Sequence, residues 1–110
     1  MKVLILDDSK EYVESLSRAL RRDFEIVAAL NLQDAENKMN HNIPIALVDV
    51  RLSEEDADNR DGILFLKWVK EKYPEVHVII MSAYQDYDAA VDALNLGAEY
   101  YLKKPINLRE

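Results

Sequence analysis

Val3-Leu4-Ile5-Leu6-Asp7-Asp8, close behind Met1 and Lys2, decides the reading: four apolar residues unbroken by charge, ending on two carboxylates. The run is too short for a signal-peptide core or a membrane span, and it has the composition of a strand buried on both faces. Similar runs return at Ile26–Ala29, Ile45–Val48, Val76–Met81 and Tyr100–Leu102, separated by longer stretches that mix polar and apolar residues. In the first of these, Asp8 and Glu11 stand at capping-box spacing, and Val13, Leu16 and Leu20 fall on one helical face. Asn31 can cap a second helix carrying Leu32, Ala35 and Met39, and Pro44 stands just ahead of the third run, where a missing N–H is tolerated. Asp61-Gly62 opens a third helix through Phe65, Leu66, Trp68 and Val69, which Tyr73-Pro74 ends. A fourth is expected from about Asp86 to Leu96, with Gly97 as its left-handed cap.

Five strands alternating with helices predict an α/β fold: a flavodoxin-like, doubly wound parallel sheet in the order 2-1-3-4-5 with right-handed crossovers. The 110 residues form one expected domain, 1–110, without repeats or linkers. Asn107 and Glu110 repeat the capping-box spacing, so a fifth helix is expected to begin there and to be truncated. Fourteen basic residues against 21 acidic ones give a net charge of −7, which argues against direct nucleic-acid binding and against anionic membranes. No cysteine is present, which excludes thiolate zinc sites, iron–sulfur clusters and thiol nucleophiles. With glycine at 62 and 97 alone, neither a P-loop nor a dinucleotide fingerprint can form. A cytoplasmic protein is the expectation.

In open α/β sheets the working crevice lies beyond the carboxyl ends of the strands. The residues there are Asp7 and Asp8, Asp49, Ser82 and Lys104. Strands one and three are neighbours in the expected order, so three carboxylates converge and raise one another's pKa unless a cation sits among them. Hard oxygen ligands without a cysteine point to Mg²⁺. A lysine and a hydroxyl across the same crevice complete a phosphoryl site, in which a carboxylate attacks phosphorus to give an aspartyl phosphate. Each residue also has a plainer role open to it. Asp8 could simply cap a helix, Ser82 could cap a loop, Tyr101 could cover the sheet, and Lys103 could be solvated. Asp49 directly follows Ile45-Ala46-Leu47-Val48 and precedes Val50, which marks a carboxylate held near the core. His41 and His77 read as ordinary residues.

The segments Leu4-Ile5-Leu6-Asp7-Asp8, Ala46-Leu47-Val48-Asp49, Val78-Ile79-Ile80-Met81-Ser82-Ala83, Gly97-Ala98-Glu99-Tyr100-Tyr101-Leu102 and Lys103-Lys104-Pro105 resemble, in order, the receiver domain of two-component response regulators. The resemblance implies that Asp49 accepts a phosphoryl group from a sensor histidine kinase or a phosphotransfer protein. Asp8 would bind Mg²⁺ directly and Asp7 through water, together with Asp49 and the backbone carbonyl of Arg51. Ser82 and Lys104 would take phosphoryl oxygens, and Tyr101 would be the switch aromatic that turns inward. Helix four, strand five and helix five would form the readout face and, on phosphorylation, a homodimer contact. The stretch from Pro74 to Pro105 is most similar to receivers of the nitrogen-regulation type, which precede an ATPase that activates transcription. An effector domain C-terminal to this chain is therefore expected.

The chain departs from that family between Asp49 and Asp61-Gly62. Leu52-Ser53 stands where receivers carry a Met-Pro pair, and the loop is several residues longer than usual. Glu54, Glu55, Asp56, Asp58 and Asp61 against Arg60 give this segment a net −4 of the total −7. It reads as a mobile solvated loop, or as an element that selects a kinase or slows anionic phosphodonors. Arg51 and Tyr84 lie two residues past Asp49 and Ser82, positions that border the path of attacking water in receivers, so slow self-dephosphorylation is expected. Two other classes share parts of the pattern. A haloacid-dehalogenase-like phosphatase needs Asp-x-Asp after strand one, whereas Ser9 stands in that third position. A pseudo-receiver would bind a partner without being phosphorylated.

Overall fold

The apolar runs become the five strands of one sheet, with helices packed on both of its faces. In the computed structural model, whose described residues are all but 54, 57, 84–86 and 105–110, the order is β1 (Lys2–Leu6), α1 (Lys10–Leu20), β2 (Glu25–Ala29), α2 (Leu32–Lys38) and β3 (Ile45–Asp49), followed by α3 (Asp61–Lys72), β4 (His77–Ser82), α4 (Tyr87–Asn95) and β5 (Tyr100–Lys103). All four strand pairings are parallel, and the sheet order is β2-β1-β3-β4-β5. Period-two alternation divides the core between the two faces. Leu4, Leu6, Ala46, Val48, Val78 and Ile80 face α2, α3 and α4, where Ala35, Phe65, Leu66, Val69, Ala89 and Ala93 are buried against them. Val3, Ile5, Leu47 and Met81 point the other way and pack on Val13 and Leu16 of α1.

Several boundaries differ from the sequence expectation, each for a local reason. Asp8 does not cap α1. Ser9 does, its Oγ accepting the Tyr12 N–H at 3.3 Å, while Asp7 Oδ1 accepts the Ser9 N–H at 2.9 Å. This chain of bonds leaves Asp8 at the crevice instead of on the helix. Asn31 caps α2 as expected, its Oδ1 accepting the Asp34 N–H at 2.8 Å. β4 begins at His77, because the Val76 N–H closes a turn onto Tyr73 O at 3.0 Å. β2 is an edge strand and only partly covered, so it is not buried on both faces; Lys38 Nζ donates to its Ala28 carbonyl at 2.7 Å and occupies part of the open edge. Gly97 is left-handed with φ 101°, and the Ala98 N–H reaches back to Ala93 O at 3.0 Å. The expected starts of α4 at Asp86 and of a fifth helix at Asn107 lie outside the described residues. Asn31→Ala removes a cap and is expected to cost about 1 kcal/mol in urea unfolding, with the native strand content kept in circular dichroism.

Candidate functional site

Strand order builds the site. β1 and β3 are paired neighbours, so the turn after Leu6 and the end of β3 bring Asp7, Asp8 and Asp49 together, with one carboxylate oxygen from each lying within 4.8 Å of the others. Asp7 is fully buried and Asp49 is 7% exposed. β4 and β5 carry the opposite wall, where Ser82, the buried last residue of β4, pairs in register with Lys103. The Lys104 N–H donates to Ser82 O at 2.8 Å, which starts the Lys104 side chain back across β4. Its Nζ donates to Asp7 Oδ2 and lies 3.3 Å from Asp49 Oδ2.

The electrostatics follow from that crowding. Burial, helped by the charge of Asp7, pushes the Asp49 carboxyl up to about 7, and the Lys104 ammonium offsets this only in part. Burial also works against the Lys104 ammonium, but its bond to Asp7 and the negative charges of Asp49 and Asp7 outweigh that, and its pKa is raised. Three carboxylates, two of them buried, with one lysine leave an excess of acidic groups over basic ones in the crevice. Hard oxygen donors at this mutual distance fit a divalent cation, which would offset the burial and the repulsion that together raise the Asp49 carboxyl.

The backbone around the acceptor position is pinned on two sides. The Val50 N–H donates to Met81 O at 3.1 Å, and the Gly62 N–H to Val50 O at 3.0 Å. Gly62 was legible only as a helix opener, yet a Cβ there would lie 1.9 Å from the Asp49 carbonyl oxygen. Its one sequence signal is a glycine in the first turn of an apolar helix, where it weakens the helix. Asn59 carries no motif or periodic signal in the sequence. Its Oδ1 accepts from both the Leu52 N–H at 2.9 Å and the Asp61 N–H at 3.0 Å, which ties the two ends of the long acidic loop. Leu52 is buried there, while Glu55, Asp56 and Asp58 are exposed as solvated residues should be. Together with Asp8 to Glu11, Leu52, Ser53 and Glu55 line an open cleft at the mouth of the crevice.

Arg51 follows the pinned Val50 and is half-buried; Tyr84 lies outside the described residues. Tyr101 packs on the α2–α4 side of the core, and its hydroxyl is enclosed without a hydrogen-bond partner among the described residues. His41 and His77 stand at the opposite, amino end of the sheet, paired with Glu75 at 3.2 Å and with Glu99, and take no part in the crevice. No helix among the described residues is long and apolar enough to cross a membrane.

Residues 3–110 match the family described as response regulator receiver domain. Over 109 residues the chain is 38% identical to the DNA-binding transcriptional regulator NtrC of Proteus hauseri, a match that covers 98% of this chain and 22% of that protein. Among solved structures, the beryllofluoride-activated NtrC4 receiver domain dimer is 30% identical with a TM-score of 0.83, over 98% of this chain and 87% of that one. A response regulator protein from Burkholderia pseudomallei with a phosphorylated aspartic acid, calcium ion and citrate is 25% identical, also with a TM-score of 0.83, over 98% of this chain and 62% of that one. The chain spans about a fifth of the length of the curated relatives it matches. Because the family match runs through all five strands and the turns that carry the crevice, the chain belongs to the response regulator receiver domains of two-component signalling.

Proposed function

We propose that Asp49 is the phosphoryl acceptor of this receiver and that the crevice around it is the switch. The observation that carries the assignment is the placement of Asp49: a buried carboxylate at a strand end, 3.3 Å from the Lys104 ammonium and grouped with two further carboxylates. Its oxygen attacks the phosphorus of a phosphohistidine on a sensor histidine kinase or phosphotransfer protein. The P–N bond breaks, and the bonding pair leaves with the imidazole, which departs as a neutral ring when its other nitrogen carries a proton. Asp8, Asp49 and the backbone carbonyl of Arg51 would hold Mg²⁺ directly and Asp7 through water. The ion supplies positive charge for the peripheral phosphoryl oxygens.

Lys104 then exchanges its bond to Asp49 for one to a phosphoryl oxygen, and the Ser82 hydroxyl donates to another. Those new charge-assisted bonds bias a two-state packing equilibrium. Tyr101 is the element they bias. An enclosed phenol without a partner costs about 1–3 kcal/mol, so its position is sensitive to small rearrangements nearby. The readout face includes α4 and β5, where Tyr87, Val91, Leu94 and Tyr100 are exposed, and phosphorylation brings two copies together on it. In the longer protein an effector domain for transcription follows the receiver, as the length and name of the NtrC relative suggest. The chemistry is one stoichiometric transfer followed by slow hydrolysis, without turnover of a substrate. The phosphatase alternative is disfavoured because Ser9, at the position where a second aspartate is required, caps α1.

Intact mass after incubation with acetyl phosphate tests the reading. One phosphoryl-sized increase is expected with Mg²⁺, and none with EDTA or with Asp49→Ala. An unmodified chain that is folded by circular dichroism would overturn the acceptor assignment, and steady hydrolysis of a small phosphomonoester would restore the phosphatase.

A further inference from the structure

The Lys104 ammonium has a third neighbour besides Asp7 and Asp49. It stands 4.4 Å from the centroid of the Tyr12 ring, and the lysine side chain is 13% exposed. Tyr12 itself is well anchored. Its backbone N–H donates to the Ser9 Oγ that caps α1, and its half-buried ring packs on the cluster containing Val13 and Leu16. An ammonium over an aromatic face is attracted by the negative face of the ring, more strongly where water is excluded.

The three contacts differ in what happens to them when a divalent cation enters. Such an ion would take Asp49 directly and Asp7 through water, and it also repels the ammonium, so two of the three holds on Lys104 weaken together. A four-carbon side chain released from its partners regains many rotamers. The Tyr12 ring is unaffected, because a hard ion seeks oxygen and leaves an aromatic face alone. We propose that Tyr12 is a positioning residue: its ring keeps the Lys104 ammonium in the crevice while metal occupies the carboxylates, so that the lysine is in place when the phosphoryl group arrives. The proposal rests on the reading of Asp49 as acceptor and goes beyond it by adding a residue that touches neither metal nor phosphoryl group.

The test compares the full chain with Tyr12→Phe and Tyr12→Leu, using two readouts. In protein carrying ¹³C-labelled lysine, the Lys104 ε-methylene protons should show an upfield ring-current shift that persists when Mg²⁺ is saturating. Tyr12→Phe should keep that shift and Tyr12→Leu should lose it. Phosphorylation by acetyl phosphate at saturating Mg²⁺ should be about tenfold slower in Tyr12→Leu and close to wild type in Tyr12→Phe, with equal Mg²⁺ affinity in all three. Loss of the wild-type shift on adding Mg²⁺ would overturn the proposal, as would equal rates in the two variants. The wild-type titration decides the matter by itself if Tyr12→Leu does not fold. A wild-type chain that keeps the shift under Mg²⁺ but takes no phosphoryl group would support the hold on the ammonium and overturn the acceptor assignment instead.

Discussion

Asp49→Asn will be more stable than the parent chain at pH 8 in EDTA, and the gain will disappear by about pH 4. The Asp49 carboxyl titrates near 3.8 in the ordinary state and near 7 in the fold, chiefly because it is buried and secondly because Asp7 is beside it. Below the lower value it is neutral whether the chain is folded or not, and it imposes no penalty. Between the two values the unfolded chain loses its proton while the folded chain keeps it, so the stability of the parent falls steadily with rising pH. Above about 7 both states are ionised, and a constant deficit on the order of 4 kcal/mol remains. Asparagine has nearly the same shape and carries no charge, so it avoids most of that deficit. The Lys104 pair is already contained in that net figure, so a gain on the order of 4 kcal/mol is expected in urea unfolding at pH 8. Mg²⁺ should stabilise the parent more than the variant, because the ion has one fewer charged ligand in the latter. A variant less stable than the parent at pH 8 would show that the lysine pair outweighs the burial of charge.

Gly62→Ala separates two opposed effects of comparable familiarity. Helix propensity alone favours alanine in α3 by about 0.5–1 kcal/mol. Against that, the added Cβ would lie 1.9 Å from Asp49 O, 2.7 Å from Asp49 C and 2.8 Å from Val50 Cα. All three are backbone atoms of a segment pinned to β4 and α3, so no side chain can rotate out of the way. Steric conflict wins, and a loss of about 3 kcal/mol is expected in urea unfolding. The relaxation that reduces the clash moves α3 away from the end of β3 and stretches the Gly62 N–H to Val50 O bond. Phosphorylation should therefore fall as well, even where the variant is folded. Gly97→Ala makes a useful contrast. There the nearest atoms belong to the flexible Lys70 stem at 3.4 Å, and the cost, about 1–2 kcal/mol, comes from the left-handed backbone. Equal stability of Gly62→Ala and the parent would refute the close-approach argument.

Hydrophobic pattern carried most of the fold. Runs such as Val3–Leu6 and Ile45–Val48 are too short for buried helices and too apolar for one-sided strands, and only a covered parallel sheet accommodates several of them in alternation with helices. The same pattern made the crevice legible, because a polar residue directly after a buried run must stand at a strand end, as Asp7, Asp49 and Ser82 do. Periodicity is a property of neighbours along the chain, and it cannot report what approaches from elsewhere. Ser9 displaced Asp8 as the α1 cap through a bond with Asp7, a choice between adjacent polar residues that spacing does not resolve.

By itself, then, the sequence determined the element order, the division of residues between core and strand ends, and the family to which the chain belongs. Tertiary structure alone decided two things: that Gly62 sits on the Asp49 backbone, and that the Tyr12 ring meets the Lys104 ammonium. Each depends on distances between segments brought together by folding. Those distances follow from how the helices settle on the sheet, and local pattern carries no information about that packing.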